Sequence, residues 1–430
     1  MPNRNPLPEL TFAVGFACGL LTLSIVYALL PAPVDRDVEL LRAVRDLTQE
    51  TYVEEVDSRT LIDGALRGMV GNLDRYSRYY GPEEIAGIDR ETSGEYLGIG
   101  VLFLDAEEGR IRFPLAGSPA ERAGLRVGDR IVAVDGARVD AMPEGGLRDS
   151  LKRRSGEPIE LELLGRDAEV RTATLRPEPV VDPSVRHARM LDDELGYLAI
   201  VSFSHRTLEE FDRWTAWLSE RGMQGLILDL RSNPGGILDA AIRIADRFIP
   251  DGVLVSTRSR TETRSTRARA EETHLLGLPL VVLVDGDSAS ASEVLCGALQ
   301  DHRVGVVVGE ETYGKGAVQT LSRFEHEQAI IKLTTSSYFT PAGRRIERGS
   351  GWTGLAPDVW VALPAGQRRA IHGFLRLYSP PPAAVPELRA WEEEEGLTLI
   401  AEAPDDPQLD AAIGLLRGRS PGPVAVRHVD

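Results

Sequence analysis

The sequence predicts an α+β fold of several domains. A chain of 430 residues is too long to fold around a single ordinary hydrophobic core, so two or three domains are expected. Apolar residues at three-to-four spacing between Val38 and Asp89 predict a helical region, residues 34–91, in which no chemistry is visible. From Gly94 onward, short apolar runs separated by glycines predict β strands. After Pro179, buried strands alternate with amphipathic helices, which predicts an α/β layer.

A run of apolar residues from Leu10 to Leu30 contains no charged residue. A helix needs about 20 such residues to span a membrane, whereas the apolar core of a cleaved signal peptide usually has about 7–15. We therefore expect residues 1–33 to form a short cytoplasmic segment and an uncleaved single-pass membrane anchor, with a cleaved signal as the alternative. Arg4 favours a cytoplasmic N-terminus. The rest of the chain would then lie on the periplasmic or extracytoplasmic side of the inner membrane.

The charge and the cysteines exclude some classes of function. The formal net charge of −17 argues against a nucleic-acid partner, because phosphate binding needs concentrated Lys and Arg. The arginine-rich stretch Arg258–Arg269 is expected to be an exposed loop or hairpin. Cys18 and Cys296 lie in different settings, so no disulfide is expected. No Cys/His cluster has zinc spacing and no glycine-rich phosphate loop occurs, so neither a metal nor a cofactor is expected.

Residues 118–136 read SPAERAGLRVGDRIVAVDG. Ser118 as a cap and Pro119 in the first turn predict a helix start, and Asp135-Gly136 predicts a tight turn after a strand. With the strands around it, this pattern resembles a PDZ domain over about residues 92–178. The resemblance implies a loop whose backbone N–H groups hold the terminal carboxylate of a peptide. In this sequence that loop maps onto Leu97, Gly98, Ile99 and Gly100. The alternative is a structural β domain that binds nothing.

Three segments of the α/β region carry candidate chemistry: LDLRSNPGG at residues 228–236, DGDSASASE at 285–293 and YGKGAVQ at 313–319. The second lies between a buried strand and an apolar helix. A helix N-terminus offers free N–H groups and a positive partial charge, which suits a nucleophile beside a developing oxyanion. Read alone, its three serines could each be a helix cap, and Lys315 between two glycines could be an exposed turn lysine. Gln319 follows Lys315 by four positions, which is the same face of a helix or a strand.

Together these segments resemble the carboxy-terminal processing proteases, over about residues 40–362 and with the PDZ domain as an insertion. The resemblance implies a crotonase/ClpP-like α/β peptidase core over residues 179–363. It implies Ser290 as the nucleophile and Lys315, 25 positions later, as the general base.

The resemblance also implies an oxyanion hole. Its donors would be the amide of Ala291 and the amide of Gly235 or Gly236, and the choice between the two glycines stays open. A serine hydroxyl is a weak nucleophile until a base removes its proton. An ordinary lysine has a pKa of about 10.4 and is charged near neutral pH, but burial disfavours the ammonium form. The amide oxygen of Gln319 could orient the lysine.

The expected function is therefore a serine endopeptidase that trims proteins near their C-termini, with the PDZ domain capturing apolar C-terminal tails. Such proteins and the membrane are the expected partners. An adaptor protein and a homodimer or higher oligomer stay open. One alternative is a catalytically silent, membrane-tethered PDZ scaffold, and another is different acyl chemistry on a crotonase-like core.

Other polar residues are expected to be structural. None of the seven histidines lies in a motif with a serine and an acid, and His302 is expected at a helix end. Asp229 and Arg231 are expected to stabilise the turn after their strand. Arg75 stands where the family often has proline. The C-terminal extension, residues 364–430, has no functional interpretation.

Overall fold

The computed structural model describes residues 35–151, 156–324, 326, 328–347, 354–378, 380, 384–397 and 403–418. The predicted anchor, residues 1–33, lies outside these ranges, as does Cys18. Within them, no helix combines the length and the apolar character that crossing a membrane requires. The chain forms two compact units, one up to Tyr79 and the other from Tyr80 onward.

The first unit contains two helices, α1 (Arg36–Thr51) and α2 (Ser58–Gly71). Asp35 and Asp57 cap them, because each carboxylate accepts a hydrogen bond from a backbone N–H of the first turn. Helix α1 buries none of its residues, so the apolar spacing that predicted it forms an exposed stripe that includes Leu40. The short strand β1 (Arg78–Tyr80) follows, between α2 and the next helix of the region that was predicted to be helical.

The second unit begins with a helix and a small β domain. Its elements are α3 (Pro82–Ser93), β2 (Glu95–Gly98), β3 (Val101–Asp105), β4 (Arg110–Pro114), α4 (Pro119–Arg122), β5 (Arg130–Val134), β6 (Ala137–Arg138), α5 (Gly146–Ser150), β7 (Ile159–Leu164), β8 (Val170–Leu175) and β9 (Glu178–Val181). The main sheet has the order β3-β4-β5-β7-β8, with β6 beside β5, and β2 pairs separately with β9. The hydroxyl of Ser118 accepts from the backbone N–H of Glu121, which confirms the predicted cap of α4.

The α/β layer follows. Its elements are β10 (Val185–Met190), β11 (Leu195–Ile200), α6 (Thr207–Ser219), β12 (Gly225–Asp229), α7 (Leu238–Asp246), β13 (Val253–Ser259), β14 (Thr263–Arg267), β15 (Leu280–Val284), α8 (Ala291–Asp301), β16 (Val306–Gly309), β17 (Ala317–Phe324), β18 (Ala329–Phe339) and β19 (Val359–Trp360). The central sheet has the order β10-β11-β12-β15-β16-β19, and β11 to β19 run parallel. Every residue of β12 and β15 is buried, as expected for a parallel sheet covered on both faces. The arginine-rich stretch is the β13–β14 hairpin, and β14 is exposed along its whole length, so the predicted exposed hairpin is confirmed.

Two sets of helices cover the two faces of the central sheet. Leu228 and its neighbours on one face pack with residues of α6, α7 and α8. Ile227 and its neighbours on the other face pack with two helices of the C-terminal extension, α9 (Ala365–Arg376) and α11 (Pro407–Leu416). Successive residues of a strand point to opposite faces, so each central strand supplies both cores.

The third helix of the extension, α10 (Val385–Glu394), packs on the PDZ domain. Its Trp391 is 1% exposed and lies in an apolar cluster with Phe113 and Val180. Three ion pairs surround this contact, Arg112–Glu392 at 2.6 Å, Arg166–Glu394 at 2.6 Å and Arg110–Glu395 at 2.9 Å. The extension therefore covers the peptidase sheet and also holds the PDZ domain.

We expect the Trp391→Ala substitution to lower the free energy of unfolding by about 3–5 kcal/mol, because it removes a large side chain from a closed core. Urea denaturation of the full chain measures this change. Leu276→Ala is the matched control: Leu276 is 62% exposed, and its loss should change the free energy by no more than about 0.5 kcal/mol. Equal effects of the two substitutions would contradict the packing of α10 on the PDZ domain.

Candidate active site

The candidate site lies where two neighbouring parallel strands end. Strands β12 and β15 pair in parallel, from Leu226 with Leu280 to Asp229 with Leu283. The turn after β12, residues 230–236, and the turn after β15, residues 285–290, therefore meet at one edge of the sheet. This edge is where open α/β sheets usually bind ligands.

Hydrogen bonds join these two turns. The carboxylate of Asp285, a residue that is 1% exposed, accepts from the backbone N–H of Ser232 at 3.0 Å in the first turn and from Ser288 at 3.1 Å in its own. The carbonyl of Asn233 accepts from the amide of Ala289 at 2.9 Å. Burial alone would raise the pKa of Asp285, but its hydrogen bonds, first that of His372, hold this pKa below its usual value.

Ser290 immediately precedes helix α8 and has an uncommon backbone conformation, with φ at +57° and ψ at −113°. A non-glycine residue with positive φ costs about 1–3 kcal/mol and persists only where its surroundings hold it. The other two serines of the motif direct their hydroxyls to the backbone: Ser288 Oγ donates to the carbonyl of Leu230 at 2.8 Å, and Ser292 Oγ to that of Asn233 at 3.0 Å. These contacts give Ser288 and Ser292 structural roles in the turn.

The two glycines after Pro234 differ in their surroundings. A Cβ at Gly235 would lie 2.8 Å from the Cβ of Ser290 and 3.0 Å from the amide nitrogen of Ala291, so a larger residue would not fit. The amide of Gly235 donates to Asn233 Oδ1 at 2.9 Å. In contrast, the amides of Gly236 and Ala291 donate to no acceptor within the described residues. Within the described residues, two N–H groups are therefore unused: that of Ala291, the residue after Ser290, and that of Gly236 in the turn after β12.

Lys315 lies in the segment between β16 and β17 and is half-buried. Its backbone N–H donates to Glu293 Oε2 at 2.8 Å, and the amide of Ser290 donates to the same oxygen at 2.8 Å. The other oxygen of Glu293 accepts from the amide of Gly314 at 2.7 Å and from the hydroxyl of Thr312 at 2.5 Å. One buried carboxylate thus brings the backbones of Ser290 and Lys315 together.

Glu293 was not singled out from the sequence. The available signal was the spacing of Ser290 and Glu293, which matches the serine-to-glutamate spacing of a capping box. Burial raises the pKa of Glu293 above its usual value, although four donors oppose that change.

Gln319 lies in strand β17 and is half-buried, with its side-chain nitrogen 3.0 Å from the carbonyl oxygen of Ala317. Lys315 precedes this strand, and the β17–β18 pairing shifts between Val318 and Gln319. The four-residue spacing therefore does not place Lys315 and Gln319 on one face of a regular element. The structure puts the two residues in consecutive segments.

The remaining predicted polar residues are structural. Arg231, 1% exposed, pairs with Asp229 at 2.6 Å and with Asp406 of the extension at 2.7 Å, which stabilises the end of β12 as expected. His302 caps the C-terminus of α8, and its Nε2 lies 2.7 Å from the carbonyl oxygen of Val253. No group of three or more His, Cys, Asp or Glu residues in the described ranges has the arrangement of a metal site.

The predicted peptide-binding loop, Leu97 to Gly100, lines a cavity of about 410 Å³ in the PDZ domain. Leu97 and Gly98 belong to strand β2, while Ile99 and Gly100 connect it to β3. The other lining residues are Tyr96, Val101, Phe103, Arg148, Leu151, Asp182 and Tyr378, the last from the C-terminal extension.

Comparison with known proteins gives matches along most of the chain. Residues 194–361 match Peptidase family S41, residues 112–164 match a PDZ domain, and residues 32–84 match the activating protease CtpB N-terminal domain. The photosystem II D1 C-terminal processing protease, a solved structure, is 29% identical with a TM-score of 0.46, and the similarity covers 82% of this chain and 99% of that one.

Two bacterial proteins are similar over most of their length. The carboxy-terminal processing protease CtpA of Bacillus subtilis is 31% identical over 338 residues, which are 77% of this chain and 70% of that protein. The carboxy-terminal-processing protease of Bartonella bacilliformis is 32% identical over 384 residues, which are 85% of each chain. On the strength of this identity and the peptidase and PDZ matches, the chain belongs to the carboxy-terminal processing proteases, a family of serine-type peptidases.

Proposed function

We propose that this chain is an endopeptidase that cleaves proteins near their C-termini, with Ser290 as the nucleophile and Lys315 as the general base. The observation that carries the proposal is the shared contact with Glu293, whose Oε2 accepts from the backbone amides of both residues. This contact brings the segments of the serine and the lysine side by side. The positive φ of Ser290 and the amides of Ala291 and Gly236, which are unused within the described residues, support the same assignment.

In the proposed reaction, neutral Lys315 takes the proton of Ser290 Oγ as this oxygen attacks the scissile carbonyl carbon. The carbonyl electron pair moves to its oxygen and gives a tetrahedral oxyanion. The intermediate collapses, the C–N bond breaks, and the leaving amine takes the proton from the lysine ammonium. Water then attacks the ester carbon while Lys315 takes its proton. The bond between Ser290 Oγ and this carbon breaks, Oγ recovers the proton from the lysine ammonium, and the new C-terminus is released.

We assign the oxyanion donors to the amides of Ala291 and Gly236. The amide of Gly235 already donates to Asn233, whereas those of Gly236 and Ala291 are unused within the described residues. Donors that are fixed before the charge develops stabilise a transition state without rearrangement. In this assignment Gly235 has a steric role, because only glycine leaves room beside Ser290. Gln319 orients Lys315 through its amide oxygen.

The PDZ cavity supports capture of C-terminal tails before cleavage. Amides of the connecting loop, those of Ile99 and Gly100, donate to no acceptor within the described residues, and such groups bind carboxylates well. Phe103 and Leu151 provide an apolar wall for the last side chains of a tail. Arg148 also lines the cavity and forms no ion pair within the described residues, so it can attract the terminal carboxylate.

The apolar run from Leu10 to Leu30 supports a membrane tether. In this proposal the PDZ domain and the peptidase core lie on the extracytoplasmic side of the inner membrane, where their substrates are other extracytoplasmic proteins.

We expect Ser290→Ala to reduce cleavage of an unfolded protein substrate at least about 10³-fold, because no other hydroxyl occupies its place. Binding of a C-terminal peptide should be unchanged. Ser322→Ala, at an exposed serine of β17, is the control and should cleave normally. Gel-based cleavage and fluorescence binding assays measure the two effects. If the wild-type chain binds tails and cleaves nothing, the silent PDZ scaffold is the better description.

The second prediction concerns pH. Because the base must be neutral, the rate of single-turnover acylation should rise between about pH 5 and about pH 9 as Lys315 loses its proton. Lys315→Arg keeps the positive charge across this range and should be inactive at every pH. A wild-type rate that does not change with pH would remove the lysine from the role of base.

A third prediction tests the cavity of the PDZ domain. We expect Arg148→Ala to weaken binding of a peptide with a free C-terminus about three- to tenfold, since an exposed cation contributes modestly. The same peptide with an amidated C-terminus should bind both chains weakly and equally. Calorimetric titration gives the affinities. Equal affinity of the two chains for the free carboxylate would contradict a role for Arg148.

A further inference from the structure

His372 lies in helix α9 of the C-terminal extension and contacts the turn that leads to Ser290. Its Nε2 lies 2.6 Å from Asp285 Oδ2, and its Nδ1 lies 3.5 Å from Asp287 Oδ2. The side chain is 15% exposed. Both ring nitrogens therefore face carboxylates, so neither is directed to a serine as a general base would be. Sequence patterns missed this contact because the histidine and the acids are far apart in the chain.

His372 is the middle member of a row of three basic residues on α9. Arg368, one turn before it, contacts both carboxylate oxygens of Glu310 at 2.8 and 2.7 Å. Arg376, one turn after it, lies 3.4 Å from the hydroxyl of Ser232. Residues four apart lie on one face of a helix, so this face follows three segments of the candidate site. They are the segment leading to Lys315, the turn before Ser290 and the turn that contains Gly236.

The contact with His372 matters because its partner, Asp285, connects the two turns of the candidate site. Its buried carboxylate joins the turn after β12 to the turn after β15 through Ser232 and Ser288. A buried carboxylate that loses a donor is penalised for its desolvation. His372 is the side-chain donor that another part of the chain supplies to it, next to backbone N–H groups and the hydroxyl of Ser288.

We propose that His372 is a positioning residue for the peptidase reaction. It holds the Asp285 carboxylate in its charged form, and Asp285 in turn holds Ser290 and the Gly236 amide in register. The inference rests on the proposed role of Ser290, and it gives the C-terminal extension a part in catalysis. His372 itself does not touch the substrate.

The inference has a specific pH signature. The pKa of Asp285 lies below its usual value, so its contribution to stability is present above the pKa of an unfolded aspartate and is lost as pH falls through the folded-state value. Removing His372 raises that folded-state pKa, and the contribution is then lost at a higher pH. Asp287 is the other acid beside His372, and its backbone N–H donates to the Asp285 carboxylate in the wild type and in the variant alike. Arg376 and the Arg368–Glu310 pair also face this region and remain in the variant.

The test compares His372→Ala with the wild type and with His274→Ala, a control at a histidine whose side chain is 51% exposed. We expect His372→Ala to lower kcat for an unfolded protein substrate, and the rate at which a fluorophosphonate labels Ser290, by about 10- to 100-fold with little change in KM. Lys315 is present in all three chains and changes their rates with pH in the same way. The ratio of the variant rate to the wild-type rate therefore reports the effect of His372 alone. This ratio should fall further as the pH is lowered from about 7 towards the pKa of an ordinary aspartate, about 3.9. A merely structural role would give a ratio independent of pH.

Two conservative variants keep the test decisive if His372→Ala does not fold. The amide of Gln can reach the position of Nε2, whereas the shorter Asn cannot. We expect His372→Gln to retain most of the labelling rate and His372→Asn to lose it, with both chains folded by circular dichroism. Equal rates for the Gln, Asn and wild-type chains would overturn the inference while leaving Ser290 as the nucleophile. If the wild-type chain is not labelled at Ser290 at all, the proposed function itself fails.

Discussion

One buried carboxylate, that of Glu293, holds the candidate site together. Removing a carboxylate from water is costly unless donors surround it. Glu293 has four, and they come from two separate segments: its own turn supplies the amide of Ser290, and the segment after β16 supplies Thr312, Gly314 and Lys315. The positions of Ser290 and Lys315 are therefore not independent. A displacement of either segment would leave the buried carboxylate with too few donors.

Other buried charged residues near the site are also stabilised by partners from separate segments of the chain. Asp285 and Arg231 are also buried, and each finds a partner in the C-terminal extension, His372 for the first and Asp406 for the second. Burial alone would lower the pKa of the Arg231 guanidinium, but the Asp229 and Asp406 carboxylates raise it well above its usual value, so it stays charged inside the protein. Each ion thus adds a partner from a distant part of the chain to the partners within its own turn. The ends of β12 and β15 thus depend on helices that follow the peptidase core.

Local signals were sufficient for much of this architecture. The cap at Ser118 and the glycine-punctuated strands were predicted from the residues, and a family resemblance then indicated the PDZ domain. The alternation of strands, turns and helices predicted the parallel sheet. The segments with Ser290 and Lys315 were also identified, although neither would have been decisive alone. The spacing argument for Gln319 did not hold, because periodicity applies within one regular element and Lys315 lies outside β17.

Contacts between residues far apart in the chain could not be predicted from local sequence patterns. The C-terminal extension has no recognisable motif. Its helices pack on residues that lie more than a hundred positions earlier in the chain, as Trp391 does in its cluster with Phe113. The contact between His372 and Asp285 joins residues 87 positions apart. Glu293 had a local signal, the spacing of a capping box, but nothing in the sequence indicated that it would also hold the lysine segment. Helix α1 was predicted from apolar spacing, yet that stripe is exposed in its unit.

The order of elements along the chain has a consequence for biosynthesis. Helices α9 and α11 cover one face of the central sheet and are translated after every strand of that sheet. Before these helices are translated, Ile227 and its neighbours have no helix to cover them, and Asp285 and Arg231 lack their contacts with His372 and Asp406. In a nascent chain, the cover of this face and the two contacts are therefore completed only after α9 and α11 have been translated.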